Sequence, residues 1–286
     1  MRYEAPETID AAVALLAAET DNARVLAGGT DLLVQLKTDI IDPKLVVDIK
    51  RIAELRTIRR DGDQFRVGAA VTGAELKEHP ELSRVWPGVV EAANLIGSTQ
   101  VQGRATLGGN LCNASPAADS VPALIAAGSI ATVVGPQGRR EVPVADVVVG
   151  PRKLSLGKAE FIVSFLLPAR PPGSADAYLR FIPRTEMDIA VVGAGVNLTV
   201  DGKGVITAAR VALGAVAPRP LFVPDAGAAL IGNKLQAGAT EAFEKAVRAA
   251  CQPIDDKRGT REFRIKVAGV IARRAALTAY ERARLR

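Results

Sequence analysis

Histidine is almost missing: His79, in the polar stretch KEHPEL, is the single one among 286 residues. That count all but excludes a Ser-His-Asp triad or a histidine-based metal site. Cysteine is nearly as scarce. Cys112 and Cys251 lie far apart and supply neither a disulfide framework nor CxxC metal spacing. Aromatic residues make up only 4% of the chain, so stacking platforms for a nucleic acid are few. The formal charge of +6 is interleaved with acids. Its strongest basic runs, Arg51 to Arg60 and Arg273 to Arg286, read as a solvated or protein-facing surface, and no nucleic-acid partner is expected. No run approaches the roughly 20 uncharged apolar residues of a membrane span. The opening MRYEAPETIDAAVALLAAE carries acids inside its apolar stretch and lacks a signal-peptide pattern, so a cytoplasmic protein is expected. Neither a catalytic side chain nor a metal ligand is nominated by these residues. Whatever chemistry occurs must be carried mostly by something the protein binds.

What is present is ordinary globular material: 48% hydrophobic and 24% charged residues, in a chain long enough for two or three modest domains. Residues 7 to 19 carry an apolar stripe at helical spacing, through Ile9, Val13, Leu15 and Leu16. ARVLAGGT reads as a short buried strand ending in a glycine turn, and TDLLVQLKT as a helix that Thr30 or Asp31 caps. KLVVDIK completes a small β-α-β unit over residues 1 to 55. A second unit, 56 to 172, contains the strand QFRVGAAVT, helices broken at Pro80 and Pro87, and the strand EFIVSFLLP. Trp86 is read there as a packing residue. ARPPGSA at 169 to 175 has the composition of a linker. From 178 to 286 the pattern changes to alternating strands joined by a DGKG hairpin turn, then helices over 226 to 251 and 261 to 285. The fold class is α+β.

VVGAGVNL, at 191 to 198, begins like a dinucleotide fingerprint, but it runs into a strand end and turn where a Rossmann site needs a helix. Close strand packing accounts for Gly193 and Gly195. Two other stretches carry more. Thr106 to Leu124, TLGGNLCNASPAADSVPAL, packs a glycine pair with short polar groups; Gly108-Gly109 is expected to take positive φ and let a ligand approach bare N–H groups. Ala27-Gly28-Gly29-Thr30-Asp31-Leu32 comes off an apolar strand and opens a helix, a turn suited to phosphate. It has no P-loop lysine. One elongated anionic ligand between the two units, a dinucleotide, is the economical reading. Asp119 is then either a helix cap or an acceptor for ribose or ribityl hydroxyls.

These two motifs, in this order and separation, resemble the flavoprotein subunit of the molybdenum hydroxylase family. YEAPETIDAAVALLA, YLRFIPRTEMDIAVVGAG and PIDDKRGTREFR extend the resemblance over nearly the whole chain. It implies a two-subdomain PCMH-type FAD-binding domain followed by a CO dehydrogenase flavoprotein-like C-terminal domain. Ala27 to Leu32, and Thr106, Leu107, Gly108, Gly109 and Asn110, then surround the pyrophosphate of FAD. Asn113 and Asp119 reach the sugar-alcohol chain, and the backbone near Val163 flanks the flavin ring. Arg180 stands where relatives usually carry lysine, and Ile96 where xanthine-oxidising relatives carry an aromatic. The cysteine-bearing insertion of some relatives is lacking, so flavin alone is expected. The implied role is electron transfer, from the iron–sulfur clusters of a partner to an external acceptor. The implied partners are a molybdenum-cofactor large subunit and a 2Fe-2S small subunit, assembled as a dimer of heterotrimers. A free-standing FAD oxidoreductase on the same fold, or a scaffold that has lost flavin, are the alternatives.

Overall fold

Three larger sheets and one two-stranded hairpin organise the chain. A computed structural model describes residues 1–19 and 22–286. The first sheet is parallel, in the order β1-β3-β2, from β1 (Arg2–Glu4), β2 (Ala23–Leu26) and β3 (Leu45–Asp48). Helix α1 (Ile9–Ala18) makes the first crossover and starts where Thr8 accepts the N–H of Ala11. Helix α2 (Leu32–Lys37) lies in the second crossover and buries no residue. The expected β-α-β unit is therefore present, with strands a little shorter than their apolar runs.

The second sheet is antiparallel, β4-β5-β10-β6-β7. Hairpin β4 (Ile58–Asp61) and β5 (Gln64–Gly68) turns at the DGD stretch. Helices α3 (Gly73–Glu78), α4 (Pro80–Val85) and α5 (Pro87–Ala93) follow; both prolines fall at first helical positions, where no N–H is needed. A Thr72–Glu75 capping box starts α3, and His79 caps α4 through Nδ1, 3.2 Å from the Leu82 nitrogen. The lone histidine thus has a structural task. Next come α6 (Thr99–Gln102), α7 (Leu107–Cys112) and α8 (Ser120–Ala127), then strands β6 (Ile130–Gly135) and β7 (Gly138–Pro143). A small hairpin of β8 (Val148–Gly150) and β9 (Lys153–Leu154) leads to β10 (Phe161–Leu167), which runs through the middle of the sheet.

The third sheet, β11 (Ser174–Phe181), β12 (Val192–Val200), β13 (Ile206–Gly214) and β14 (Leu221–Phe222), is an antiparallel meander with DGKG as one turn. It is backed by α9 (Pro224–Ala228), α10 (Ala237–Ala250) and α11 (Arg261–Arg284). The single helix expected over 226 to 251 is two, because α9 ends at Ala228 and the chain turns through Gly232, at φ +81°, before α10 starts at Ala237. Gly193 and Gly195 lie in β12, where an added Cβ would overlap the Tyr178 hydroxyl or approach the Pro122 carbonyl to 2.6 Å. The fingerprint-like run is strand packing.

The stretch read as a linker is not loose. Arg170 is buried, its guanidinium 3.8 Å from the centroid of the Trp86 ring and 3.0 Å from Asp176 Oδ1. Asp176 Oδ2 in turn accepts the N–H of Val89, at the start of α5. Arg282 of α11 pairs with Glu91 of α5. The segment 169–173 is therefore stitched to the second unit from one side and the third sheet from the other.

Candidate functional site

The first glycine segment leaves the end of β2 and turns into α2. Lys50 fixes its entry: Nζ donates to the carbonyl of Ala27 at 3.1 Å and to both oxygens of Asp48 at 2.8 Å. Tyr3 donates to the same carboxylate at 2.6 Å. Although burial opposes it, these bonds hold Asp48 below the usual carboxylate range, as a fixed anion. Gly28 is required by close approach, because a Cβ there would overlap the carbonyl oxygen of Arg104. Gly29 is required by conformation, with φ +80°. Asp31 stands at the N-cap position of α2 but makes no capping bond, contrary to the expected cap. Among the described residues, the N–H groups of Gly29, Thr30, Asp31 and Leu32 donate to no protein acceptor. Four such donors in succession suit an anion.

The second glycine segment is not the positive-φ loop expected. Thr106 is the N-cap of α7, its Oγ1 accepting the N–H of Gly109 at 2.9 Å, and both glycines lie inside that helix. Their value is space. A Cβ on Gly108 would come within 2.6 Å of the Ala69 carbonyl, whereas one on Gly109 would meet only Thr106 Oγ1, at 3.1 Å. Ala69 joins this helix to the sheet, accepting from the Gly108 N–H at 3.2 Å and donating to the Val163 carbonyl at 2.9 Å. Val163 is the extra residue of a bulge between Ile162 and Ser164, a device that re-aims neighbouring residues.

Between the two segments lies a cavity of about 440 Å³, within the size range of ligand clefts. Ala27 to Leu32, Thr106, Gly108, Gly109, Asn110 and Asn113 all line it, as does Ile96. Leu107, Asp119, Val163 and Arg180 stand outside the lining. Leu107 faces the core. In place of Val163, its neighbours Phe161 and Ile162 form the wall. The carboxylate of Asp119 is taken by Arg180 at 2.7 Å and by the Tyr178 hydroxyl at 2.9 Å, and it makes no helix cap. Burial pushes Asp119 up to about 6 against the pull of both partners. Burial and the adjoining carboxylate hold the Tyr178 phenol well above its ordinary value.

Sequence reasoning missed Gln35, whose Nε2 donates to Asn113 Oδ1 at 3.2 Å and so ties α2 to the end of α7. It also missed Phe161, Ile162 and Arg152, which reach the cavity only through the β8–β9 hairpin and the bulge. Asn110 uses its side-chain oxygen to receive the Ser120 N–H at 3.1 Å and hydroxyl at 2.7 Å, beginning α8. Cys112 is a lining residue whose thiol burial pushes up to about 12, so it fills space rather than attacks. The fit to a dinucleotide rests on donors without acceptors and on a helix whose half-buried Gly109 leaves the cavity wall bare.

Comparison with known proteins agrees with this geometry. The FAD-binding domain of molybdopterin dehydrogenases matches residues 1–170, and the CO dehydrogenase flavoprotein C-terminal domain matches residues 177–279. The chain belongs to this flavoprotein family. It is 33% identical to the carbon monoxide dehydrogenase medium chain of Hydrogenophaga pseudoflava, over 98% of this chain and 97% of that one. It is 34% identical to a xanthine dehydrogenase FAD-binding subunit of Escherichia coli, over 92% and 90% of the two chains. A crystal structure of Cu,Mo-CO dehydrogenase superposes with a TM-score of 0.95 at 33% identity, covering 99% of this chain and 98% of that one. The flavoprotein therefore binds FAD and is an oxidoreductase component. Among its described residues no helix is long and apolar enough to cross a membrane.

Proposed function

We propose that this flavoprotein is the electron-transfer subunit of a molybdenum-containing hydroxylase or dehydrogenase, drawing electrons from iron–sulfur clusters of one partner and delivering them to an external acceptor. The observation that carries it is the cavity between two glycine segments, one offering four unengaged N–H groups and the other a bare helical wall. The first segment, with Thr106, Gly108, Gly109 and Asn113, would hold FAD, and Phe161 and Ile162 would flank it. Asn110 lines the cavity and fixes the start of α8, while Leu107, Asp119, Val163 and Arg180 would act from behind this wall by fixing α7, α8 and the bulge. When bound, FAD supplies the one- and two-electron chemistry, and the protein positions it. A molybdenum-cofactor large subunit and a 2Fe-2S small subunit, as a dimer of heterotrimers in the cytoplasm, complete the assembly. Divisions at 1–55, 56–172 and 178–286 belong to the same reading, supported by three separate sheets.

The test is purification of the chain with its neighbours. Flavin absorbance together with co-purifying molybdenum and iron–sulfur subunits is expected. A chain without flavin, and taking none up on titration, would sink the proposal. A chain that binds FAD and turns over a substrate alone would replace it with a free-standing oxidoreductase.

A further inference from the structure

We propose that Arg152 is the cation that recognises the diphosphate of bound FAD, an inference that rests on the cavity being the FAD site. Two arginines line the cavity, Arg24 and Arg152. Arg24 spends its guanidinium on the carbonyl of Ala23, at 2.9 Å. Nearby cations are also engaged: Lys50 with Asp48, Arg140 with Glu160, and Arg180 with Asp119. Among the described residues the Arg152 guanidinium has no hydrogen bond, ion pair or ring partner.

The backbone beneath it is unusual. Pro151 and Arg152 form the two-residue loop of the β8–β9 hairpin, closed by the Gly150–Lys153 pair. Arg152 takes φ +56°, at a turn position where glycine is favoured after proline. Its N–H donates to the carbonyl of Ala114 at 3.1 Å, and Ala114 is itself left-handed, at φ +50°. Two non-glycine residues in this region are thus tied together, Arg152 lining the proposed FAD cavity and Ala114 an adjoining one. Strain of this kind persists where the surroundings enforce it, and it gathers at ligand clamps. Here the chain keeps a long cation at a position where the backbone alone favours glycine.

Charge balance supplies the rest. The N–H groups of Gly29 to Leu32 and the Thr30 hydroxyl are neutral donors, and Asp31 adds a carboxylate to the same wall. Thr30, Asp31, Asn113 and Arg152 also share the lining of an adjoining cavity of about 360 Å³, so both glycine segments and the hairpin meet there. A diphosphate carries two negative charges that neutral donors do not offset. A planar guanidinium offsets them with paired hydrogen bonds.

The test uses the purified protein stripped of flavin and titrated with FAD and with riboflavin, which has no phosphate. Arg152→Gly should weaken FAD binding about ten- to a hundredfold, leave riboflavin unchanged, and flatten the salt dependence of FAD binding. Its melting temperature without flavin should stay level or rise, because glycine suits φ +56°. Arg152→Lys should retain part of the affinity for FAD. Equal FAD affinity in wild type and Arg152→Gly would overturn the role of Arg152 alone, as would an equal loss for riboflavin. A wild-type chain that binds no FAD would overturn both this role and the assignment of the cavity.

Discussion

Gly28-Gly29 and Gly108-Gly109 look alike in the sequence and stand on opposite sides of one cavity, yet they meet different physical demands. In the first pair one glycine is dictated by crowding against Arg104 and the other by a left-handed backbone. In the second pair the backbone is helical, and Gly108 alone is crowded, by Ala69. Gly109 faces space that the protein leaves unfilled. The two glycine pairs are therefore four separate questions, and Gly109 alone has neither a crowding backbone neighbour nor a left-handed φ.

Substitutions can break that comparison. Gly28→Ala forces a methyl group into a backbone carbonyl, so it should cost about 3 kcal/mol or more and release flavin, as read by urea unfolding and flavin content. If it melts like wild type, the contact between the two segments is wrong. Asp119 tests how firmly α8, which the second segment begins, is bound to the third sheet. Its carboxyl is raised to about 6 in the fold from an ordinary 3.8, so the folded state holds the proton more tightly than the unfolded chain. This group's contribution should then be full below about pH 4 and fade as pH rises to about 6, a loss of roughly 3 kcal/mol. Comparing the pH dependence of unfolding in wild type and Asp119→Asn isolates it; parallel curves would refute the shift. Gly108→Ala should cost about 1 to 3 kcal/mol by overpacking against Ala69, seen as a lower melting temperature. Gly109→Ala sharpens the contrast most with the smallest effect on stability: the fold should hold within about 0.5 kcal/mol, helped by the helix preference of alanine, while FAD affinity falls. Unchanged affinity would show that the ligand does not touch this wall.

That the two glycine segments line one cavity was legible, because glycine pairs next to apolar runs are local signals. What failed was their conformation. Gly108-Gly109 was expected to form a turn, since glycine is a poor helix former. The hydroxyl of Thr106 starts the helix all the same, and the requirement for glycine comes from Ala69, on a different strand connection. Asp119 was read as a hydroxyl acceptor or a cap; its partners, Tyr178 and Arg180, come from the third sheet and leave no periodic trace near it. The same holds for Arg152, which reaches the cavity through a hairpin whose pairing decides everything. The three-sheet architecture was recoverable from strand patterning and turns. The helix over 226 to 251 was not divided correctly, although Gly232 lies in the turn between its two parts.

The clasp of Arg170 on Trp86 has a consequence for cooperativity. Arg170, Asp176 and the α5 backbone form a buried set in which losing any member strands a charge. The apparent joint between the cofactor-binding and C-terminal parts therefore transmits unfolding rather than isolating it. Heat or denaturant should take both parts through a single transition, and the flavin signal and the loss of secondary structure should coincide.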